Sequence, residues 1–153
     1  MNLLRINWDT AIRYCEELSG KIDFRPDMIV GISRGGLVPA RIMSDILGIK
    51  DVGILGIRFY RGMGKTEEMP IITQDISIDV TSKKILIVDD VADSGKSLVF
   101  AKEHLKDAKE VKSATLHYKP NSEYKPDYFV GTTTAWIVYP WEVHEVEREL
   151  TSA

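Results

Sequence analysis

The stretch ILIVDDVADSGKS, Ile85–Ser97, decides the fold class of this chain of 153 residues. Four apolar residues run directly into the adjacent carboxylates Asp89 and Asp90, and a turn rich in small residues follows. A short, continuous apolar run bounded by turn residues is typical of a strand that is buried on both faces. We therefore predict a strand that ends at Asp89, so that both acids open into a crevice, and a helix that follows the turn Ala92–Ser97.

The two adjacent carboxylates suit either of two tasks. Carboxylate oxygens accept hydrogen bonds from vicinal hydroxyls, and they also bind hard cations. The turn Ala92–Ser97 has the chemistry of a phosphate cradle, because a helix N-terminus offers unpaired N–H groups and about half a positive charge. Gly95 permits close approach of a ligand to the backbone, and Asp93 adds a third carboxylate.

The ending Gly95-Lys96-Ser97 is similar to the end of the nucleotide-binding P-loop, G-x-x-x-x-G-K-[ST], but the match fails. The first glycine of that motif would fall at position 90, which is Asp90. An anionic side chain there would repel a nucleotide phosphate. The sequence therefore excludes a P-loop ATPase.

Strands and helices alternate along the rest of the chain. Apolar runs predict strands at Met28–Ser33, within Val52–Tyr60, and at Ile71–Ile78, Ser113–Tyr118, Asp127–Gly131 and Ala135–Tyr139. Helical spacing and capping residues predict one helix from Asn7 or Asp9 to Gly20, one from Gly36 or Leu37 to Gly48, and an acidic helix near the end of the chain. Because continuous apolar strands alternate with helices, we predict an α/β fold with a mainly parallel central sheet flanked by helices. The polar segment 61–70 is expected to be a mobile loop.

Composition and charge exclude several classes of protein. With 44% apolar and 28% charged residues, the chain is typical of a globular protein. The net charge of −3 argues against a protein whose main role is to bind nucleic acid, which needs a basic face. No apolar run approaches the ~18–20 residues of a membrane span, and the first residues lack the layout of a signal peptide. Cys15 is the only cysteine, which excludes a disulfide framework and favours the cytoplasm.

The pattern of four apolar residues, two acids, two further residues and D-S-G-K-S resembles the phosphoribosyl-pyrophosphate (PRPP) signature of type I phosphoribosyltransferases. Residues 30–49, VGISRGGLVPARIMSDILGI, are similar to the pyrophosphate-loop segment of the xanthine-guanine and hypoxanthine-guanine members. KPNSEYKPDYFVG (119–131) and WIVYPWE (136–142) are similar to their base-binding segment. The resemblance implies the type I phosphoribosyltransferase fold in one domain, residues 1–153, with a core at about 20–118 and a small hood formed by 119–153 and part of the N-terminus.

The resemblance implies a purine salvage enzyme that transfers the 5-phosphoribosyl group from PRPP to N9 of a 6-oxopurine, which is hypoxanthine, guanine or xanthine. The residues expected to hold the ribose phosphate are Asp89, Asp90, Ala92, Asp93, Ser94, Gly95, Lys96 and Ser97. Those expected to hold the pyrophosphate are Ser33, Arg34, Gly35, Gly36 and Arg58. Those expected to contact the base are Lys119, Trp136 and Ile137. Asp93 is the expected catalytic residue, because a carboxylate facing N7 can carry the proton that the purine must lose.

The resemblance also implies Mg²⁺ as a cofactor, bound by Asp90 and Asp89. Glu142 is a further candidate ligand, although the family often has an aspartate at that position. A cis peptide is expected at Ser33–Arg34. The expected partners are PRPP and the base, with no nucleic acid and no membrane, in a homodimer or homotetramer. Segment 61–70, with Lys65, is expected to close over the site.

Two alternatives stay open at this point. A PRPP-binding regulator of nucleotide metabolism would keep the fold and act through nucleic acid, although the acidic balance disfavours it. An enzyme of the same fold acting on adenine or a pyrimidine would differ at Lys119 and at residues 136–138. Trp141 is expected to pack in the hood or a subunit interface. The histidines are not at metal-ligand spacing and are expected to be structural or exposed.

Overall fold

Across residues 2–64 and 66–152, the computed structural model contains eight strands and four helices. The strands are β1 (Leu3–Arg5), β2 (Met28–Ser33), β3 (Val52–Arg61), β4 (Glu68–Gln74), β5 (Lys84–Ala92), β6 (Glu110–Tyr118), β7 (Tyr128–Thr132) and β8 (Trp136–Val138). The helices are α1 (Trp8–Lys21), α2 (Leu37–Leu47), α3 (Lys96–His104) and α4 (Val143–Ser152). In this part of the chain, no helix is both long enough and apolar enough to cross a membrane.

Six strands form one sheet in the order β4-β3-β2-β5-β6-β7. All neighbouring strands are parallel except β3 and β4. From β2 the chain goes on to β3 on one side, and from β5 to β6 on the other, so the strand order reverses between β2 and β5. Such a reversal leaves a crevice at the carboxyl ends of the two strands, where ligands of α/β sheets bind. The predicted α/β fold is confirmed.

Side chains of β5 alternate between two apolar layers, as the two-residue period of a strand requires. Ile85 and Ile87 pack with Leu98 of α3, whereas Leu86 and Val88 pack on the opposite face. That second layer includes Ala11, Cys15 and Leu18 of α1 and Ala40 and Met43 of α2. Burial of each large apolar side chain contributes roughly 1.5–3 kcal/mol, so the two layers fix β5 firmly in the centre of the sheet.

The ends of α1 and α2 have identifiable causes. The Asn7 side chain caps α1 by accepting a hydrogen bond from the Thr10 N–H at 2.8 Å. Gly48 closes α2 in the left-handed conformation, at a φ of 69°. Both were predicted. Gly20 does not end α1, which continues to Lys21.

The strand at the centre of the site is longer than predicted. β5 passes through Asp89 and Asp90 to Ala92, so the prediction that it ends at Asp89 is wrong. Its pairing with β2 stops at Gly31–Val88, while its pairing with β6 continues to Ala92–Tyr118. The last four residues of β5 therefore have a strand neighbour only on the β6 side, beyond the last residue pair with β2.

Segment 61–70, expected to be a mobile loop, belongs largely to a hairpin. β3 and β4 pair antiparallel from Gly56–Gln74 to Arg61–Glu68, so β4 also begins and ends earlier than the predicted strand Ile71–Ile78. The connection comprises only residues 62–67, of which Lys65 lies outside the described residues. The apolar pattern did not reveal this hairpin because both strands are largely exposed near the turn.

The two ends of the chain meet in a second, smaller sheet. β1 pairs parallel with β8 through Leu3–Trp136, Leu4–Ile137 and Arg5–Val138. The Ile6 N–H adds a hydrogen bond to the Val138 carbonyl at 2.9 Å. This sheet holds the segment after β7 against the start of α1.

A histidine lies inside the core beside the smaller sheet. His117 on β6 is 2% exposed, and its Nδ1 lies 2.7 Å from the hydroxyl of Tyr139, which follows β8. Burial lowers the pKa of His117 to about 4, so the imidazole is neutral in the folded protein at neutral pH. We expected this histidine to be either structural or exposed, and it is a structural residue of the core.

We predict that His117 makes the folded state less stable as the pH falls from about 6.5 towards 4. In this window the unfolded chain takes up a proton that the folded protein does not, so at pH 5 the loss is about 2 kcal/mol. His117→Asn keeps a donor near the Nδ1 position without a titratable ring, and should therefore flatten the dependence. Urea unfolding at pH 7 and pH 5 measures this difference. The exposed His144→Asn should leave the slope unchanged, and equal slopes for wild type and His117→Asn would contradict the prediction.

Candidate active site

The turn after β5 lines a small cavity at the carboxyl end of the sheet. The cavity has a volume of about 80 Å³, and it is lined by Asp89, Val91, Ala92, Asp93, Ser94, Gly95, Ser97 and Leu98. Within residues 2–64 and 66–152, the backbone N–H groups of Asp93, Ser94 and Gly95 have no protein acceptor. Together with the first turn of α3, these N–H groups offer unused donors to an anion.

Gly95 is needed for the shape of this turn. Its φ is 86°, in the left-handed region that glycine adopts without strain. A β-carbon at this position would lie 2.5 Å from the Ser122 hydroxyl oxygen and 2.7 Å from the Tyr124 nitrogen. The turn is therefore packed directly against the segment that follows β6.

Main-chain hydrogen bonds join that segment to the turn. The Lys119 N–H donates to the Ala92 carbonyl at 3.1 Å, and the Glu123 N–H donates to the Ser94 carbonyl at 2.9 Å. The segment that resembles a base-binding loop and the turn that resembles a phosphate loop are thus held together by their backbones.

The structure also brings Asp93 and Lys119 together. Lys119 Nζ lies 3.6 Å from Asp93 Oδ1, with the lysine side chain 15% exposed and the aspartate 69% exposed. A largely buried ammonium beside an open carboxylate presents one donor and one acceptor at the mouth of the crevice.

Asp89 and Asp90 lie on opposite faces of the sheet, because β5 continues through both. Asp89 lies on the same side of the sheet as the turn after β5 and lines the same cavity. Its Oδ1 accepts a hydrogen bond from the Asp90 N–H at 2.8 Å. Asp90 is 7% exposed, and its Oδ2 accepts the indole N–H of Trp141 at 3.3 Å. These bonds offset part of the free energy needed to bury two acids, which is why the strand does not have to end before them.

Burial and mutual repulsion raise the pKa values of the acidic groups in this region. Burial raises the pKa of Asp89, with a further contribution from Asp90. Burial also raises the pKa of Asp90, while the Trp141 hydrogen bond lowers it. Burial and then the charge of Asp90 raise the pKa of Glu142 to about 7. The raised pKa values show that the site does not fully stabilise the ionised forms of these three acids. A bound cation would favour the ionised forms and reduce their mutual repulsion.

The loop after β2 forms the other wall of the crevice. Its Ser33–Arg34 peptide is cis, as the resemblance implies. Gly35 approaches Asp90 so closely that a β-carbon there would lie 2.5 Å from a carboxylate oxygen. The Arg34 guanidinium is well exposed and lies 2.7 Å from Glu145 of α4. A cavity of about 430 Å³ separates this loop from the start of α4, with Glu142 also in its lining.

The donor set fits a divalent cation whose ligands are shared with a substrate. Asp89, Asp90 and Glu142 supply carboxylate oxygens, which hard cations prefer. Yet in residues 2–64 and 66–152 no three His, Cys, Asp or Glu side chains stand close enough together to hold a metal ion. A cation such as Mg²⁺ would therefore need oxygen ligands from a bound phosphate or from water as well.

The remaining predicted site residues lie further apart. Lys96 does not line the small cavity, and its Nζ lies 4.0 Å from Glu68 of β4. Arg58 lies in the hairpin opposite Ile71 with its side chain exposed. Trp136 is half-buried in β8, and the neighbouring Ile137 side chain is buried in the core.

Three residues near the site were not recognised from the sequence as part of it. Trp141 was expected in the hood or an interface, but it bonds to the Asp90 carboxylate. Tyr139 donates its hydroxyl proton to the Asp90 carbonyl, and Glu145 pairs with Arg34. These partners are separated by 51, 49 and 111 positions, and no local pattern in the sequence links them.

Comparison with known proteins gives a consistent picture. Residues 6–148 match the family profile of the phosphoribosyl transferase domain. Xanthine-guanine phosphoribosyltransferase of a Ruegeria species is 31% identical over 156 aligned positions, covering 90% of this chain and 84% of that protein. The same enzyme of Idiomarina loihiensis is 33% identical over 118 residues, covering 76% and 71%.

Solved structures agree with the sequence comparison. A crystal structure of purine phosphoribosyltransferase from Pyrococcus horikoshii superposes with a TM-score of 0.86 at 40% identity, covering 92% of this chain and 95% of that one. Xanthine-guanine-hypoxanthine phosphoribosyltransferase of Helicobacter pylori superposes with a TM-score of 0.76 at 25% identity, covering 99% and 98%. With the family profile matched over nearly the whole chain, the protein belongs to the phosphoribosyltransferase family.

Proposed function

We propose that the protein is a purine salvage enzyme that transfers the 5-phosphoribosyl group of PRPP to N9 of a 6-oxopurine. The products are the nucleoside 5′-monophosphate and pyrophosphate. The observation that carries the proposal is the turn Ala92–Ser97, which lines a cavity at the end of β5 with unused N–H groups beside Asp89. The names of the relatives, which are xanthine-guanine and other purine phosphoribosyltransferases, support the choice of base.

In this proposal the turn binds the 5′-phosphate. The helix N-terminus and the free backbone N–H groups stabilise the anion, with the hydroxyls of Ser94 and Ser97 as further donors. Asp89 lines the same cavity and is placed to accept a hydrogen bond from a ribose hydroxyl. Asp90 faces the pyrophosphate side, next to Gly35. In this proposal, Asp89 and Asp90 therefore contact the bound PRPP from opposite sides of β5.

The base is assigned to the mouth formed by Asp93, Lys119 and β8. The Lys119 ammonium donates to the 6-oxo group, which favours an oxo acceptor over the amino group of adenine, because an unpaired, largely buried ammonium is unfavourable. The Asp93 carboxylate accepts the proton at N7 as N9 attacks the anomeric carbon. Trp136 stacks on the purine, and the Ile137 backbone contacts its edge.

The leaving pyrophosphate is assigned to the loop after β2. Ser33, Arg34, Gly35 and Gly36 form this loop, and the Arg34 guanidinium is its main donor. The Gly36 N–H is not free, because it donates to the Ile32 carbonyl at 2.8 Å. Arg58, exposed in β3, is assigned as a further cation. Mg²⁺, when bound, would neutralise part of the pyrophosphate charge, and Asp89, Asp90 and Glu142 are the residues that would hold it. Glu145 forms an ion pair with the Arg34 guanidinium, and this ion pair has to break before Arg34 can bind pyrophosphate.

We further propose one catalytic domain with a core at about 20–118 and a hood formed by 119–153 and part of the N-terminus. The pairing of β1 with β8 supports this division. A homodimer or homotetramer in the cytoplasm completes the proposal. The exposed apolar side chains of Trp8, Ile12 and Ile46 on α1 and α2 support self-association.

An assay with several bases tests the reaction and its specificity. The protein is incubated with Mg²⁺ and PRPP and with hypoxanthine, guanine, xanthine, adenine, uracil or orotate, and pyrophosphate release is recorded. We expect turnover with at least one of the first three bases and none with uracil or orotate. Release with adenine or a pyrimidine alone would refute the 6-oxopurine assignment, and no PRPP binding at all would refute the family reaction for this chain.

The proton-transfer role of Asp93 predicts a split between turnover and binding. Asp93→Asn keeps the shape but cannot take up the N7 proton, so kcat should fall by about 10²- to 10⁴-fold. The affinity for PRPP, measured by calorimetry, should change far less because the N–H groups of the turn remain. The exposed Asp107→Asn is the matched control and should behave as wild type. Equal losses in kcat and PRPP affinity would contradict this role.

The contact between Arg34 and Glu145 predicts a variant that binds PRPP more tightly. Glu145→Gln removes the carboxylate that competes with pyrophosphate for the guanidinium, so the KM for PRPP should fall by about two- to fivefold, as expected for a partly exposed ion pair. The KM for the base should be unaffected. Glu147→Gln changes an exposed carboxylate on the same helix, which faces His144, and serves as the control. A rise in the KM for PRPP in Glu145→Gln would show that Glu145 assists binding instead.

A further inference from the structure

A chain of buried hydrogen bonds runs from β6 to the backbone of Asp90. His117 Nδ1 lies 2.7 Å from the Tyr139 hydroxyl, and that hydroxyl lies 2.9 Å from the Asp90 carbonyl oxygen. His117 and Tyr139 are 2% and 1% exposed. Leaving such buried polar groups without a hydrogen bond costs free energy, so the geometry of these two hydrogen bonds is tightly constrained.

The direction of each hydrogen bond follows from the chemistry of the groups. A carbonyl oxygen only accepts, so the Tyr139 hydroxyl donates to Asp90. The hydroxyl oxygen then accepts a hydrogen bond from the Nδ1–H of His117, so the neutral imidazole carries its proton on Nδ1. His117 thereby fixes the rotation of the hydroxyl and aims its proton at Asp90.

Side chains contact both main-chain polar groups of Asp90, in addition to the pairing of β5 with β6 on either side of it. Its N–H donates to the Asp89 carboxylate at 2.8 Å, and its carbonyl accepts from Tyr139. The pairing of β5 with β2 has already ended at Val88. Beyond Val88, these side-chain contacts add to the pairing with β6, which is the one remaining strand neighbour of β5.

The stacked rings of Tyr139 and Trp141 provide a second contact with Asp90. Tyr139 stacks on Trp141 with ring centroids 4.9 Å apart and planes 5° from parallel. The Trp141 indole N–H donates to Asp90 Oδ2 at 3.3 Å. One face-to-face pair of rings thus holds Asp90 by its carbonyl and by its carboxylate.

We infer that Tyr139, with His117 behind it, is a positioning residue that fixes the Asp90 carboxylate in the orientation needed to bind PRPP. The inference rests on the proposed function, in which Asp90 contacts the ribose or its metal ion. Tyr139 touches neither substrate in this arrangement, so it acts through Asp90. A residue that only filled the core would be replaced by phenylalanine without effect on one substrate in particular.

Tyr139→Phe is the central variant, because it keeps the ring and its stacking on Trp141 and removes only the hydroxyl. We expect the KM for PRPP to rise about tenfold, the equivalent of one lost hydrogen bond. The KM for the base should change by less than about twofold, because uniform damage to the site is not expected. In an Asp90→Asn background, Tyr139→Phe should have little further effect, because both changes act on one group.

Variants at His117 give an independent arm. His117→Asn keeps a donor near the Nδ1 position and should hold the KM for PRPP within about twofold of wild type, whereas His117→Leu should raise it by about three- to fivefold. If circular dichroism shows that Tyr139→Phe does not fold, the two His117 variants still test whether this hydrogen-bond chain positions Asp90. Equal KM values for the two His117 variants would overturn the role of His117.

A third measurement needs no turnover. The protein has three tryptophans, and Trp141→Phe identifies the indole N–H resonance of Trp141 among them. If Tyr139 positions Asp90, hydrogen exchange of this indole N–H should be about tenfold faster in Tyr139→Phe than in wild type. Unchanged exchange, or a change in KM that is equal for both substrates, would overturn the inference. A wild-type protein that does not bind PRPP would refute the proposed function instead, and the exchange rate would still show whether Tyr139 holds Asp90.

Discussion

Two adjacent acids at the end of a buried strand are the constraint on which the rest of this structure depends. Because neighbouring residues of a strand face opposite sides, Asp89 and Asp90 need separate environments that can each tolerate a carboxyl group. On one side this environment is the turn after β5, and on the other it is Gly35 and the indole of Trp141. The loops around the crevice are built to supply these two environments.

Sequence patterns predicted the features that depend on neighbours in the chain. The apolar run of β5, the cap at Asn7, the closing Gly48 and the α/β class all follow from local spacing and from the preferences of single residues. The cis peptide at Ser33–Arg34 followed from family resemblance rather than from physics. The turn between β5 and α3 was predicted because its glycine, hydroxyls and position after a strand are all local signals, although it spans only residues 93–95 and not Ala92–Ser97.

The features that were missed depend on distant parts of the chain. Past Asp89, β5 continues by pairing with β6, and side chains about fifty positions away donate hydrogen bonds to Asp90, so no local pattern contains these contacts. The hairpin at 61–70 is exposed and mixed in polarity, so its strands lack the apolar run by which buried strands are recognised. The contacts of Tyr139 with Asp90 and of Glu145 with Arg34 likewise form only once the C-terminal segment is folded over the sheet.

The backbone bonds between Ala92 and Lys119, and between Ser94 and Glu123, have a consequence for the size of molecule that fits. They join the turn after β5 to the segment after β6 in one frame, with Gly95 packed against Ser122 and Tyr124 at the junction. In the proposed function, these two segments bind the phosphate and the base. The distance between the two segments is therefore held by main-chain hydrogen bonds. In the proposed function, this frame sets the distance between the 5′-phosphate and the base, so it favours a nucleotide whose length matches that distance.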